Sequence, residues 1–242
     1  MPTPVTPVLE IEGIEKRYQG LRPLRLQSLA IAPGERVAVL GVDAGAAEVL
    51  VNLVTGASVV DRGVVRVLGQ NNAEIADGDD WLASLDRFGI VSPRAVLLEG
   101  ATLEQNLAMP FTLQIDPVGP ETARRVSELA MACGLSDGVE TGTAGLQQRA
   151  GEASPERRAR AHLARAIALG PALLVLEHPT ADLPPATVPA FAADVASVTE
   201  ARHQATLVLT QDQAFAQQVA HRTLKWNPAT GGLTPVRRGW FS

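Results

Sequence analysis

Residues 36–54, RVAVLGVDAGAAEVLVNLV, decide the fold class of this chain. The run from Arg36 to Leu40 is short and apolar, which is typical of a strand buried on both faces. A glycine- and alanine-rich segment follows from Gly41, and the apolar run Val49 to Val54 predicts a helix once its flanks are included. The stretch therefore predicts a strand–loop–helix unit of an α/β protein.

The rest of the chain predicts strands first, then helices, and finally strands alternating with helices. Alternating apolar positions predict strands over residues 8–14 and 24–31, and another strand is predicted over 63–68. Between about Thr102 and Leu169, apolar residues at three-and-four spacing predict helices. A buried strand over 173–176 then begins an alternating series of strands and helices, which indicates a parallel sheet covered on both faces.

The composition indicates a globular protein. The 242 residues are enough to bury a substantial core, and 46% of them are hydrophobic while 19% are charged. The net charge of -5 argues against a nucleic-acid partner, whose binding surface is usually basic. No apolar run reaches the roughly 18 residues that a membrane-spanning helix needs, and the first residues lack a secretory signal pattern. We therefore expect a cytoplasmic protein.

Five segments resemble the motifs of ABC-transporter ATP-binding subunits, in the order and at the separations of that family. The resemblance covers essentially the whole chain. The segments are LGVDAGAAEVLVNLVTG (40–56) for the P-loop, SPRAVLLEGATLEQNLAMPF (92–111) for the glutamine loop, ASPERRARAHLARAIAL (153–169) for the signature sequence, LLVLEHPTADL (173–183) for Walker B, and LTQDQAFA (209–216) for the switch region.

The resemblance implies a P-loop NTPase fold of the α/β class. We expect a RecA-like core with an N-terminal antiparallel β segment over residues 9–98 and 170–242, and an inserted helical subdomain over 99–169. Residues 1–8 are expected to form a flexible tail. The NLAMPF stretch looks most like the lipoprotein-release, macrolide-efflux and cell-division branch of the family.

The resemblance also assigns positions of a nucleotide site, and several of them carry unusual residues. Tyr18 falls where the family stacks an aromatic ring on adenine, and Ser154 falls at the signature serine. In the P-loop, the resemblance covers Gly41, Asp43 and Gly45, then Ala46 at a glycine position, Ala47 at the lysine position and Glu48 at the Ser/Thr position that holds Mg²⁺.

These P-loop residues have the wrong charge for a phosphate. A P-loop binds phosphate through backbone N–H groups at a helix N-terminus, and its lysine adds a positive charge. Here the lysine position is Ala47, and Asp43 and Glu48 add two carboxylates. Each carboxylate roughly 5 Å from a phosphate charge would cost about 3 kcal/mol at an effective dielectric constant of about 20. We therefore expect no normal ATP binding and no bound cofactor, with ATP and Mg²⁺ present only if the family activity is retained.

The remaining catalytic positions also differ from the family pattern. Glu177 stands at the Walker B aspartate and His178 at the catalytic glutamate. Gln211 replaces the switch histidine, and Pro93 or its neighbour Ser92 stands at the glutamine-loop position. The resemblance therefore implies no intact catalytic residue, and it leaves only Glu48 and Glu177 at metal-ligand positions, where no metal is expected.

The sequence leads to one main functional hypothesis and two alternatives. The main hypothesis is a scaffold or regulatory subunit on the cytoplasmic face of an ABC-type membrane complex. Its expected partners are a permease-like membrane subunit and a second nucleotide-binding-type subunit, either a copy of itself or an active paralogue. One alternative is a divergent ATPase with a rebuilt site that uses Glu48, Glu177 and His178. The other is a soluble adaptor unrelated to membranes.

Overall fold

The computed structural model describes residues 6–75, 77–135 and 145–236. In these ranges the chain forms two β-sheets and seven α-helices. The strands are β1 Leu9–Lys16, β2 Leu24–Ile31, β3 Arg36–Leu40, β4 Arg62–Val67, β5 Gln70–Asn71, β6 Phe88–Val91, β7 Leu173–Glu177, β8 Ala205–Thr210, β9 Arg222–Trp226 and β10 Leu233–Pro235. The helices are α1 Ala44–Val54, α2 Gly78–Ser84, α3 Leu103–Ala108, α4 Pro120–Ala132, α5 Pro155–Ile167, α6 Val188–Ala201 and α7 Gln213–Val219.

The larger sheet has the strand order β10-β9-β3-β8-β7-β6 and is parallel except for β10. Every residue of β3, β7 and β8 is buried, because both faces of the sheet are covered. Alternate residues point to opposite faces. Val37 and Val39 pack in one apolar cluster with α1 and the smaller sheet, whereas Ala38 and Leu40 pack in a second cluster with the other helices.

The smaller sheet is antiparallel, with the strand order β2-β1-β4-β5. It packs through Leu9, Ile11 and Leu26 against the cluster that contains α1. Val8, which the sequence analysis assigned to a flexible tail, is only 6% exposed and donates its N–H to the Ile31 carbonyl oxygen at 2.8 Å. Val8 is therefore fixed against β2, and residues 1–5 of the predicted tail lie outside the described residues.

Helices α3, α4 and α5 lie between β6 and β7 in the chain. Their buried residues, among them Leu107, Val126 and Leu163, share one apolar cluster with the face of the larger sheet that α6 and α7 also cover. The order of strands and helices, the parallel sheet and the helical insertion agree with the α/β class predicted from the sequence.

Gly89 lies where α5 approaches strand β6. A Cβ atom added at Gly89 would collide with the Ala166 carbonyl oxygen and would lie 2.9 Å from Pro171 Cγ. We expect Gly89→Ala to lower the free energy of unfolding by about 1–3 kcal/mol, since overpacking a core costs this much. Gly100→Ala is the matched control, because an added Cβ there meets nothing within 4 Å. Thermal unfolding of the two variants checks the prediction, and equal stabilities would contradict the close packing of α5 on β6.

Candidate functional site

Four of the five motif segments meet along one edge of the larger sheet. Because β3, β8, β7 and β6 are parallel neighbours, the segments that follow them leave from the same edge. Gly41 follows β3, Gln211 follows β8, Glu177 ends β7, and Ser92 follows β6. This carboxyl-terminal edge is where open α/β sheets bind ligands, so the candidate site is built here.

The segment between β3 and α1 is much shorter than a phosphate-binding loop. Helix α1 begins at Ala44, inside the segment that the sequence analysis described as a loop. Asp43 is its N-cap and accepts a hydrogen bond from the Ala46 N–H at 2.8 Å, while the Asp43 carbonyl accepts the Ala47 N–H at 2.8 Å. Alanine has the highest helix propensity, and aspartate is among the preferred N-caps, so this sequence favours helix over an open loop.

This capping places a negative charge of the chain itself at the N-terminus of α1. A helix N-terminus stabilises an anion through its orphan N–H groups and its dipole. In this chain that anion is the Asp43 carboxylate. Ala46 and Ala47, at the glycine and lysine positions assigned by the resemblance, are both fully buried. The site therefore presents a carboxylate at the helix N-terminus and a buried alanine at the position predicted for a phosphate-binding lysine.

Tyr18 lies beside the capped end of α1. A Cβ atom added at Gly45 would be 3.6 Å from the Tyr18 ring and 3.5 Å from Asp43 Oδ1, so the ring and the carboxylate border the same residue. Burial and the negative charge of Asp43 raise the pKa of the Tyr18 phenol. Tyr18, Asp43, Glu48 and Trp226 line an open groove of about 830 Å³.

Glu48 and Glu177 converge on an arginine that the sequence analysis did not select. Arg94 Nη1 lies 3.0 Å from Glu48 Oε2, and Arg94 Nη2 lies 2.7 Å from Glu177 Oε2. The Glu177 side chain is only 4% exposed, whereas that of Glu48 is 50% exposed. The residue of the glutamine-loop segment that reaches the two carboxylates is thus Arg94. The sequence analysis had assigned this position to Pro93 or Ser92. A signal was present in the sequence, because a carboxylate ending a buried strand requires a cation.

His178 lines a cavity to which neither Arg94 nor its two carboxylate partners contribute. Its backbone is in the left-handed region, with φ of 42°, and its buried Nε2 has no hydrogen-bond partner among the described residues. It lines a cavity of about 230 Å³ together with Pro93, His162 and Asp182. Burial and the charges of Arg165 and Arg158 lower the pKa of His162 to about 4. In the described ranges, no three His, Cys, Asp or Glu residues form a group that could hold a metal ion.

Ser154 and Gln211, the other two predicted site residues, lie apart from the groove. Ser154 caps α5 by accepting a hydrogen bond from the Arg157 N–H at 3.4 Å. Its hydroxyl also donates to the Glu156 carboxylate, and this bond, with the backbone N–H of Glu156 itself, lowers the pKa of Glu156. The N-terminus of α5 thus carries a carboxylate as well. Gln211 is exposed at the end of β8.

These residues do not fit a Mg²⁺-bound triphosphate. The Ala46 N–H is bonded to Asp43, the lysine position is a buried alanine, and the two carboxylates at metal-ligand positions are bonded to Arg94. An added phosphate would face Asp43 and Glu48 without a lysine to offset them. The chemistry of this site is that of internal charge pairs.

Solved structures define the class of fold. The dimeric ATP-binding cassette MJ0796, in a post-hydrolysis state bound to ADP and Pi, matches with a TM-score of 0.75 and 19% identity over 96% of this chain and 100% of that one. The cbiO1 protein from Clostridium perfringens, part of the ABC transporter complex cbiONQ, matches with a TM-score of 0.73 and 18% identity over 90% of this chain and 84% of its own. The fold is therefore that of an ABC cassette, a P-loop NTPase, as predicted.

Sequence comparison identifies the homologues as ATP-binding subunits of ABC transporters. FbpC of Mesorhizobium japonicum, an Fe(3+) ion import ATP-binding protein, is 30% identical over 88% of this chain and 57% of its own length. MacB of Photorhabdus laumondii, a macrolide export ATP-binding/permease protein, is 29% identical over 87% of this chain and 32% of its own. LolD of Alcanivorax borkumensis, a lipoprotein-releasing system ATP-binding protein, is 27% identical over 87% of this chain and 91% of its own.

These matches confirm the family that the motif order indicated, and LolD and MacB represent the branch suggested by NLAMPF. The chain spans 57% and 58% of the first two curated relatives, a little over half of their length. No family model matches the chain. Among the described residues, every helix is too short or too polar to span a bilayer.

Tyr18 is the single tyrosine of the chain, so the pKa of its phenol can be measured by absorbance and reports on the capped end of α1. We expect the absorbance of the native protein to show a Tyr18 phenol pKa above its ordinary value, because burial first and Asp43 second disfavour the phenolate. Asp43→Asn removes the second cause, so the pKa of Tyr18 should fall but stay raised by burial. Tyr18→Phe provides the blank. An unchanged pKa in Asp43→Asn would contradict the placement of Tyr18 beside this carboxylate.

Proposed function

We propose that this chain is a cassette that works without nucleotide, as a scaffold or regulatory subunit of an ABC-type membrane transport complex. The observation that carries this proposal is the Asp43 carboxylate at the N-terminus of α1. A phosphate group at that position would have to displace a covalently attached anion whose effective concentration is very high. It would then face Glu48, and the buried Ala47 offers it no positive charge.

The signature segment, at the N-terminus of α5, supports the same proposal. Glu156 lies in the first turn of α5 and accepts the Ser154 hydroxyl. Ser154 is the residue that the resemblance assigns to contact with a γ-phosphate bound by a second cassette. A carboxylate there repels such a phosphate, so this chain is unsuited to complete the nucleotide site of a partner as well as its own.

The expected partners follow from the homologues. Import and export ATP-binding proteins are among them, and MacB carries both an ATP-binding and a permease part in its name. We propose that this chain lies on the cytoplasmic face of the membrane, bound to a permease-like subunit. A second cassette, either another copy of this chain or an active paralogue, would complete the complex, since the cassette MJ0796 is dimeric.

Calorimetric titration of the purified chain with ATP, with and without Mg²⁺, tests the loss of nucleotide binding. We expect no binding heat at millimolar ATP, which corresponds to a binding free energy weaker than about 4 kcal/mol. The charge of Asp43 at the helix N-terminus and the absence of a lysine beside it are the physical reasons. LolD of Alcanivorax borkumensis, titrated under the same conditions, serves as the positive control.

Micromolar binding would overturn this part of the proposal. Together with Mg²⁺-dependent phosphate release that His178→Ala abolishes, it would establish the alternative, a divergent ATPase with a rebuilt site. The convergence of Glu48 and Glu177 is the observation that favours this alternative. Against it, His178 lines a cavity to which neither Glu48 nor Glu177 contributes.

Exposed apolar residues after β6 provide the surface for a membrane partner. Val96 is 70% exposed and Leu98 is 52% exposed, while Leu97 between them is buried. We expect the double variant Val96→Asp/Leu98→Asp to leave the membrane fraction of cells and to be recovered with the soluble fraction, because two charges would be buried at the interface. Thermal unfolding should show little change, since both side chains are exposed.

Leu21→Asp is the control for this experiment. Leu21 is fully exposed but lines the groove at α1 instead of the segment after β6. This variant should stay with the membrane fraction. Recovery of wild type in the soluble fraction alone would favour the soluble adaptor. If Val96→Asp/Leu98→Asp and Leu21→Asp both leave the membrane fraction, the segment 96–98 has no special role in membrane attachment.

A further inference from the structure

We infer that the Arg94 guanidinium occupies a divalent-cation position between Glu48 and Glu177, and that it fixes the segment 92–98 to the sheet without any ligand. This inference deepens the proposed function and rests on it, because it explains how the site stays folded without Mg²⁺ and nucleotide.

The two carboxylates come from different elements and meet at one cation. Glu48 lies in the second turn of α1, and Glu177 is the last residue of β7. One oxygen of each carboxylate faces the same guanidinium, Glu48 Oε2 at 3.0 Å from Arg94 Nη1 and Glu177 Oε2 accepting from Arg94 Nη2 at 2.7 Å. Oxygen atoms of two carboxylates around one charge are the ligand type that Mg²⁺ and Ca²⁺ prefer. The guanidinium thus takes the position that a hard divalent cation would be expected to take.

The charge of this cluster is not fully balanced. One guanidinium carries a single positive charge, whereas Glu48 and Glu177 together carry two negative charges. Because Glu177 is 4% exposed, water screens its charge poorly, and loss of the guanidinium would leave it without a partner among the described residues. A divalent cation would balance both carboxylates. Removal of Arg94 should therefore create a cation site that the wild-type chain lacks.

Arg94 also connects the sheet to the helical insertion. The segment 92–98 is bonded to α5, because Arg165 Nη1 donates to the Val96 carbonyl oxygen at 2.8 Å. It is bonded to α3 through buried Asn106, which accepts the Leu98 N–H at 2.8 Å and donates to the Leu98 carbonyl at 3.0 Å. Arg94 adds the bond to α1 and β7. Since Arg94 belongs to the chain, this connection does not depend on a ligand concentration.

Thermal unfolding of Arg94→Ala with metal ions alone tests the inference. In the presence of EDTA we expect its Tm to lie roughly 5–10 °C below that of wild type, because a buried carboxylate has lost its cation. Millimolar Mg²⁺, Ca²⁺ or Mn²⁺ chloride should restore at least half of this loss. The Tm of wild type should change by no more than about 1 °C with the same ions, since Arg94 already occupies the position.

Two further variants separate a cation position from a general loss of stability. Arg94→Ala/Glu177→Gln lacks one of the two carboxylates, so the ions should no longer raise its Tm. Arg124→Ala removes an exposed arginine paired with Glu128 at 2.7 Å, and it should shift neither the Tm nor its ion dependence. If Arg94→Ala does not fold, Arg94→Gln replaces it, with a smaller expected Tm loss and the same ion dependence.

Three outcomes would overturn the inference. These are an unchanged Tm in Arg94→Ala, no recovery of Tm with any of the three ions, or a wild-type response as large as that of the variant. The ATP titration fails or succeeds independently, because the metal ions are added without nucleotide. If wild type binds ATP and the Tm of Arg94→Ala still rises with metal ions, the proposed function is wrong. The role of Arg94 as the occupant of the cation position would still stand.

Discussion

A charged carboxylate that ends a fully buried strand is costly unless a cation or hydrogen-bond donor lies beside it, and the site of this protein is arranged around that requirement. Glu177 ends β7 with its side chain 4% exposed, and the cation is Arg94. Because Arg94 follows β6, the pair holds the neighbouring strand ends together at the carboxyl edge of the sheet. The same guanidinium reaches Glu48 on α1, so one ion cluster connects the sheet, its first helix and the segment that leads to the helical insertion.

A second constraint acts at the ends of two helices. The N-terminus of a helix presents unpaired N–H groups and a partial positive charge, which an anion or a capping oxygen must satisfy. In α1 the Asp43 carboxylate meets this need, and in α5 Ser154 and Glu156 do so together. These are the two helices whose N-termini the family resemblance assigns to phosphate contacts. Both helices are therefore complete without a phosphate, and that is the physical basis for proposing a scaffold.

Most of the fold could be predicted from the sequence, because hydrophobic periodicity reports which face of each element is buried. The parallel strands, the helical insertion and the family all followed from apolar runs and motif order. The start of α1 and the role of Arg94 did not. The start of α1 depends on whether capping by Asp43, which favours a helix, outweighs the glycines of this segment, which favour a loop. Comparison with the family motif does not show which of the two tendencies is stronger. Arg94 is a long side chain whose partners are 46 and 83 residues away in sequence, a convergence that only the folded sheet reveals.

The residues that differ from the family pattern at this site also compensate for one another. Such compensation would not be needed if these positions had merely lost their role in nucleotide binding. Without a phosphate, the N–H groups at the N-terminus of α1 need another acceptor, and Asp43 provides it. A glutamate at a metal-ligand position would by itself repel Glu177, yet Arg94 lies between the two. At the N-terminus of α1 and between Glu48 and Glu177, side chains of the chain itself thus provide a charge where a phosphate or Mg²⁺ would be expected. Such pairing favours retention of the cassette shape without a ligand, which is what the proposed scaffold role requires.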